Sequence, residues 1–320
     1  MRGFRPMTTI QSRTALEKRP SVRTRLRKHA WLYLLGLPGM LILLFFNYLP
    51  MGSLIMAFQD YDPWKGLLNS PFVGLKHFER LFNDKKFYLM LWNTLKISAL
   101  SLATFPAPII LALLLNEVRS AAYKKTIQTA VYLPHFLSWT IVVSLTFFLL
   151  SSEQGLVNKI IVASGGKARR FLFDKSIIYY IIVIQSVWKG VGWGSIVYLA
   201  AIAGIDQQLY EAAKLDGANK LQCTLHITLP CILPTVAVML ILKMGSIISV
   251  DFEQVLLMTN ALVKEKLEVF EVFIYQNGVK SGSTQFSYTT AIGMFKSVVS
   301  TVLVIVTNKI VSSNGMKGII

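Results

Sequence analysis

The sequence predicts an all-α polytopic membrane protein with six transmembrane helices. Three observations lead there. The 320 residues are 53% hydrophobic, only 15% charged, and have a mean hydropathy of +0.52; a soluble domain carries about 25% charged residues and shorter apolar runs. The apolar residues gather into six runs, each near the roughly 20 residues that cross a bilayer core. Between the fourth and fifth runs lies a polar stretch with its own helix start, stop and restart signals.

Residues 1–28 read as a basic cytoplasmic arm. Nine Lys/Arg lie from Arg2 to Lys28 against one acid, Glu17, and such a cluster anchors beside anionic lipid. The net charge of +17 would suggest nucleic acid in a soluble chain. No aromatic-basic platform or reading motif accompanies it here, so no nucleic-acid partner is expected. The basic region and the apolar run behind it are too long for a cleavable signal peptide, and no small-x-small site follows.

The transmembrane domain is expected over 29–311. Its first span, about 31–56, contains Pro38 and Pro50, which leave room for a kink. The segment 59–87 carries five basic and four acidic residues. It places Leu75, Phe78, Leu81 and Phe82 on one helical face, expected to lie flat on the outer surface. The second span, about 89–115, is interrupted by Pro106 and Pro108, and the third, about 129–150, carries Pro134. The fourth spans about 177–203, the fifth 231–250 and the sixth 290–311. Segments 151–176 and 251–289 read as loops, the second long and polar, and 312–320 as a short cytoplasmic tail. An even number of spans puts both termini on one side. That side collects 16 Lys/Arg and the other 13; the N-terminal cluster and the turn with Arg119, Lys124 and Lys125 assign it to the cytoplasm.

The stretch 206–230 therefore faces the cytoplasm. Asp206 can N-cap a short helix with Leu209, Ala212 and Ala213 on one face. Asp216-Gly217 ends it, because glycine tolerates the left-handed conformation at a helix end. A second short helix can begin at Ala218 with Leu221 and Leu225 on its apolar side, and Pro230 opens the next apolar run.

No catalytic engine is visible. There is no GxxxxGK[ST] stretch for ATP phosphates, no GxSxG nucleophile, and Gly165-Gly166-Lys167 lacks the upstream glycine. Cys223 and Cys231 have no CxxC partner and the four histidines are scattered, so neither a metal site nor a disulfide framework is expected. Gly190, Gly192 and Gly194 sit inside the fourth span and read as close helix packing or a broken helix. Four lysines lie within spans. Lys96 and Lys296 sit near span ends and are expected to snorkel; for the deeper Lys189 and Lys243, a functional role or an ion pair is the alternative to snorkelling. Asp251 and Glu253, just past the fifth span, could accept hydrogen bonds from sugar hydroxyls or pair with a base. Trp188, Trp193 and Tyr198 could offer flat faces to sugar rings or fill an aromatic core.

The stretch from Glu211-Ala212-Ala213 through Gly217 to Ile227-x-Leu229-Pro230 resembles the EAA loop of the permease subunits of binding-protein-dependent ABC importers. Further stretches are similar to the carbohydrate branch, and within it to the polysaccharide and complex-oligosaccharide group: Tyr132-Leu133-Pro134-His135-Phe136-Leu137-Ser138-Trp139, Trp188 to Ser195, Phe252-Glu253-Gln254-Val255-Leu256 and Phe286-Ser287-Tyr288-Thr289-Thr290-Ala291. The tail from Ser312 to Ile320 departs from the pattern.

The resemblance implies a non-catalytic subunit in the bacterial cytoplasmic membrane. It would pair with a second homologous permease, two ATP-binding subunits and an extracytoplasmic solute-binding protein. ATP and magnesium would be handled by the partners and no cofactor bound by this chain. Glu211, Ala212, Ala213, Asp216 and Gly217 would form the helix that the ATPases move, and Ile227, Leu229 and Pro230 would fix it to the fifth span. Trp188, Lys189, Trp193, Tyr198, Lys243, Asp251 and Glu253 are candidates for the substrate pathway. The basic residues Lys167, Arg169, Arg170, Lys189 and Lys243 would suit an acidic saccharide such as a uronate oligomer. The rival readings are an ABC permease for a non-sugar solute such as a phosphonate or peptide, and a stand-alone channel or membrane enzyme.

Overall fold

The computed structural model describes residues 30–280, 285–316 and 318–319; the arm expected at 1–28 lies outside them. Among the described residues the regular structure is helical, apart from one isolated bridge between Gln59 and Phe72. Four helices are long and apolar enough to cross a membrane: Ala30–Phe58, Lys85–Glu117, Lys220–Gly245 and Phe286–Ser313. Two bent helix pairs raise the number to six if each is one span.

The chain divides after Ser53 into two compact units. Helix α1 (Ala30–Phe58) accounts for the described part of the first. It is apolar all round, as a helix in lipid is. Ahead of Pro50 it widens into a π turn, Leu44–Tyr48, where the Leu49 N–H reaches back to the Leu44 carbonyl. A proline ring clashes with the carbonyl four residues before it and offers no N–H; the wider turn relieves both.

The second unit begins at Leu54. Helix α2 (Lys76–Asn83) forms over the stretch expected to be an amphipathic helix. It packs inward through Leu81 and His77, both buried, while Leu75 and Phe82 stay exposed. An aromatic surface made by Phe87, Phe270 and Tyr288 receives Leu81, so the helix buries a narrower stripe than the sequence pattern suggests. Lys76 Nζ donates to Asp60 Oδ2 at 2.6 Å, and this bond holds the Asp60 carboxyl below its usual range.

Helices α3 (Lys85–Ala103) and α4 (Ala107–Glu117) meet at the Thr104–Pro106 break and together make one candidate span. Helices α5 (Ala121–Tyr132) and α6 (Trp139–Leu150) differ from the single run expected at 129–150. They are bent by 104° across a 3-10 turn, Leu133–Phe136. Pro134 sits in that turn, Leu137 is extended, and Ser138 recaps the chain by accepting from the Ile141 N–H. Helix α7 (Leu156–Ala163) structures the segment read as a loop, and buried Asn158 ties it to both backbone groups of Arg169.

Helix α8 (Ile178–Ala203) is unbroken through its three glycines. A Cβ on Gly192 would lie 2.0 Å from the Val131 carbonyl oxygen, so α5 crosses α8 there at backbone contact; of the two readings, close packing is the one observed. Helix α9 (Gln207–Leu215) turns off α8 by 70°. Helix α10 (Lys220–Cys223) starts slightly later than expected, at an Asn219/Gln222 capping box. It then runs without interruption through the π turn Thr224–Thr228 into α11 (Leu229–Gly245), so the fifth candidate span starts at Lys220 rather than near Cys231. Pro230 does not open a new helix; as at Pro50, the π turn accommodates it within one.

The segment expected as a polar loop at 251–289 is instead built of helices α12 (Phe252–Met258), α13 (Lys264–Leu267) and α14 (Phe270–Ile274) before α15 (Phe286–Ser313). Val255, Val263, Leu267, Val269 and Phe270 are completely buried. Apolar residues spaced among acids and lysines average to a polar stretch, yet Val255, Val263, Leu267 and Val269 fill one core with Ile178 and Ile182, and Phe270 joins a second with Phe87 and Tyr288. Asn93 of α3 pins this insertion by donating to the Glu265 and Glu268 carbonyls at 2.8 and 3.0 Å while accepting from the Tyr179 hydroxyl at 2.7 Å. Lys296 was expected to snorkel; it forms a partly buried ion pair with Glu271 of α14, which lies within reach.

Gly192→Ala drives a methyl into a backbone carbonyl and should cost about 1–3 kcal/mol of stability. Gly190→Ala enters open space and should stay within about 0.5 kcal/mol of wild type. Thermal or denaturant unfolding of the detergent-solubilised protein compares the two.

Candidate functional site

A cleft of about 660 Å³ opens between α3, α8 and the end of α11. The face of α3 supplies Ser98 and Ser101, the loop before α6 supplies Ser138, and α8 supplies Ser186 and Lys189. Lys243, Ser246, Ser249, Asp251 and Glu253 complete the polar lining. The side chains follow from helical spacing: Ser98 and Ser101, and Ser186 and Lys189, are each three residues apart and share a face.

The two lysines are held differently. Lys189 Nζ donates to the His135 carbonyl at 2.7 Å and lies 5.5 Å from the Trp139 ring centroid. Lys243 Nζ donates to Ser101 Oγ at 2.9 Å. An ammonium has three donors, so each keeps donors for a ligand. Asp251 and Glu253 are exposed and have no hydrogen-bond or ion-pair partner among the described residues. The cleft thus mixes free carboxylates, half-engaged ammonium groups and a row of hydroxyls. A second cavity of about 380 Å³ shares Ser101, Ser186, Gly190, Lys243 and Ser246 with the first.

The cleft wall is stiffened by two residues that the sequence reading passed over. Gln254 Nε2 donates to the Gln185 Oε1 and to the Ile182 carbonyl, each at 2.8 Å, and its own Oε1 accepts from Ser186 Oγ at 3.0 Å. Gln185 in turn donates to Thr146 Oγ1 at 2.6 Å. Their signal was available: an uncharged amide inside an apolar run needs partners, and Gln185 sits in the middle of α8.

Of the sequence-predicted pathway residues, the structure brings Lys189, Lys243, Asp251 and Glu253 into one cleft. Tyr198 is buried among Ile109, Ala112 and Ile202 and borders the second cavity. Trp193 stacks on the His135 ring, centroids 4.5 Å apart and planes within 3°, and Trp188 is half-exposed; neither lines the first cleft. The basic residues Lys167, Arg169 and Arg170 lie on an exposed segment and do not line it either.

The stretch 206–230 forms a second site. Asp206 Oδ1 accepts from the Gln208 N–H at 3.0 Å and starts α9. Gly217, at φ +82°, ends it: the Ala218 N–H bonds the Ala213 carbonyl and the Gly217 N–H bonds the Lys214 carbonyl, which is a Schellman closure. Three fastenings hold this loop to the helices. Tyr210 Oη pairs with Thr228 Oγ1 at 2.9 Å, Lys220 Nζ reaches Glu117 Oε2 of α4 at 2.7 Å, and Ile227 and Leu229 pack on the core around Ile202 and Ile232. Away from these anchors Leu209, Glu211, Ala212, Asp216, Leu221 and Leu225 are exposed, and Leu215 is 89% exposed. Apolar side chains gathered on a polar, rigid loop mark a surface for another protein.

A helical membrane protein with a polar cleft between its long helices and a braced loop presenting apolar residues has the form of a transport component that works against partners. Comparison with known proteins gives the class. Residues 104–312 match the family described as binding-protein-dependent transport system inner membrane components, and the chain belongs to that family. It is 48% identical over 95% of its length to the polygalacturonan/rhamnogalacturonan transport system permease protein YteP of Bacillus subtilis, covering 94% of that protein. It is 46% identical to protein LplB of the same organism, covering 92% of each chain. Among solved structures, it matches a chain of the bacterial alginate ABC transporter in complex with an alginate pentasaccharide-bound periplasmic protein. The TM-score there is 0.84 at 38% identity, covering 93% of this chain and 99% of that one.

Gln254→Leu leaves the Gln185 and Ile182 carbonyl oxygens without their buried donor and should cost about 1–3 kcal/mol. A lowered unfolding midpoint, with the cleft lysines untouched, is the expected readout.

Proposed function

We propose that this chain is a non-catalytic permease subunit of an ABC importer that carries oligosaccharides across the bacterial cytoplasmic membrane. In this reading it makes six spans, with α5–α6 and α8–α9 each counted as one bent span, and both termini in the cytoplasm. Its partners are a second homologous permease, two ATP-binding subunits and an extracytoplasmic solute-binding protein. The partners bind and hydrolyse ATP with magnesium.

One observation carries the reading: the loop 206–230 is rigidly closed and fastened to α4, α8 and α11, yet turns Leu209, Glu211, Leu215 and Leu221 outward. A loop so built transmits displacement. An ATPase seated on Glu211-Ala212-Ala213 that closes on its partner pushes α9, and the bonds from Tyr210 and Lys220 pass the motion to the base of α11 and the end of α4. The cleft then alternates its access from one side to the other. Asp216 and Gly217 keep the loop closed, and Ile227, Leu229 and Pro230 join it to the span.

The cleft between Lys189, Lys243, Asp251 and Glu253 is the substrate pathway, with Tyr198 bordering its inner extension and Trp188 and Trp193 flanking it. Hydroxyl-rich walls suit a sugar, whose own hydroxyls both donate and accept. The lysines add a preference for acidic saccharides, in keeping with the polygalacturonan/rhamnogalacturonan named for YteP and the acidic polysaccharide alginate named for the solved transporter.

Reconstituted with its partners, the transporter should show ATPase activity stimulated by acidic oligosaccharides loaded on the binding protein. Glu211→Ala should abolish that stimulation while the subunit stays in the membrane. Equal stimulation by neutral oligosaccharides would remove the acidic preference, and normal uptake by Glu211→Ala would remove the coupling role.

A further inference from the structure

A basic cavity of about 620 Å³ lies on the side of α3 turned away from the cleft, lined among others by Lys96, Lys175, Lys266, Tyr179 and Tyr180. Ser98 and Ser101 face the cleft; Lys96 and Leu100, one turn apart on α3, face this groove. The lining contributes three cations and no carboxylate. Lys175 is engaged at the rim with Glu265 at 2.9 Å. The Lys96 and Lys266 ammonium groups make no hydrogen bond or ion pair among the described residues. The Lys96 ammonium instead lies 5.0 Å from the Trp92 ring centroid and 5.7 Å from that of Tyr179.

Two features distinguish this groove from a site for a soluble anion. The first is its level: Lys175 and Ser176 precede α8, Tyr179 and Tyr180 stand in its first turn, and Trp92 and Tyr180 are exposed beside them. Lysine with Trp and Tyr at the end of a span is the composition of the membrane–water interface. The second is its mixed lining. Beside the three lysines it includes Ala99 and Leu100, which lie beyond Lys96 along α3 toward the middle of the candidate span Lys85–Glu117. A ligand that fits both is amphiphilic, with a negative head and an apolar tail.

We propose that this groove binds an anionic phospholipid, its phosphate on Lys96, Lys175 and Lys266 and its acyl chain along Ala99 and Leu100. A lipid held there ties α3 to the start of α8 and to α13, on the far side of the helix whose serines line the pathway. The proposal rests on α3 and α8 crossing the bilayer, not on the identity of the cargo.

The assembled transporter, purified without saccharide or ATP, is tested by native mass spectrometry with phosphatidylglycerol and phosphatidylcholine of matched chains. Wild type should retain at least threefold more phosphatidylglycerol than the Lys96→Gln/Lys266→Gln variant, with no difference for phosphatidylcholine. Should that variant fail to assemble, brominated lipids titrated onto the wild type answer the same question. Brominated phosphatidylglycerol should quench tryptophan emission more than the phosphatidylcholine analogue, and Trp92→Phe should remove the difference. Equal retention or equal quenching overturns the proposal. So does displacement of the quenching lipid by inorganic phosphate, which would mark a soluble-anion site, or loss of binding-protein association in the variant with lipid retention unchanged, which would mark a protein contact. None of these readouts depends on transport, so a wrong cargo leaves them unaffected.

Discussion

No water reaches the hydrocarbon core of a bilayer, so every backbone N–H and C=O placed there needs a partner within the chain. That constraint governs this fold because its helices carry many prolines, each of which removes a donor and crowds a carbonyl. Pro38 and Pro234 stay within regular α-helix; at the other helix prolines the chain meets the difficulty in three ways. Ahead of Pro50 and Pro230 it widens one turn to π geometry, letting the preceding N–H reach five residues back. At Pro134 it abandons the helix for a 3-10 turn and restarts at a serine cap. At Pro106 it closes α3 with the Thr104 N–H bonded to the Leu100 carbonyl, then begins α4 with both prolines in positions where no donor is required. The turn at Pro134 places His135, Leu137 and Ser138 in the cleft wall, and the π turn at Pro230 keeps the end of the 206–230 stretch in one helix with α11.

The same constraint explains what the sequence made legible. Long apolar runs are conspicuous, and the runs near 31–56, 177–203 and 290–311 differ from their helices only at the ends. The caps of α9 were legible because Asp206 and Gly217 are local signals whose physics does not depend on the rest of the fold. The bend at Pro134 was legible only as an interruption: its 104° follows from α5 crossing α8 at Gly192, a contact between residues 61 apart in sequence. The helices in 251–289 were missed because averaging over Lys264-Glu265-Lys266 and Glu268 hides Val263, Leu267 and Val269, which are core residues separated by charge.

Ionisable groups in the interior divide along similar lines. Sequence identifies an intramembrane lysine as costly but not its remedy. Lys296 is neutralised by Glu271, and that pair also accepts the Val250 N–H, so it fixes the backbone next to Asp251. Lys189 and Lys243 are not neutralised. Each is satisfied by a single neutral oxygen, a carbonyl or a hydroxyl, and turns into the cleft. Lys296 takes a carboxylate partner; Lys189 and Lys243, which line one cavity, do not, and in the proposed reading their remaining donors serve a ligand.

The unpaired carboxylates across the cleft sharpen the argument about what enters. A cavity holding only Lys189 and Lys243 would bind any anion and hold it, which suits storage and not passage. Asp251 and Glu253, two residues apart at the start of α12, would in the proposed reading oppose a ligand's carboxylates while accepting from its hydroxyls. A polymer that alternates hydroxyls with acid groups is then attracted at some registers and repelled at others. Sites of moderate and varied affinity let a chain enter and leave, whereas a uniform deep well does not. The serine row between the charges provides neutral contacts at every register, because a hydroxyl donates or accepts as the sugar requires. Weak, repeated and reversible contact is what a pathway for an extended saccharide needs, and in the proposed reading the energy for direction comes from partner subunits through the loop that follows α8.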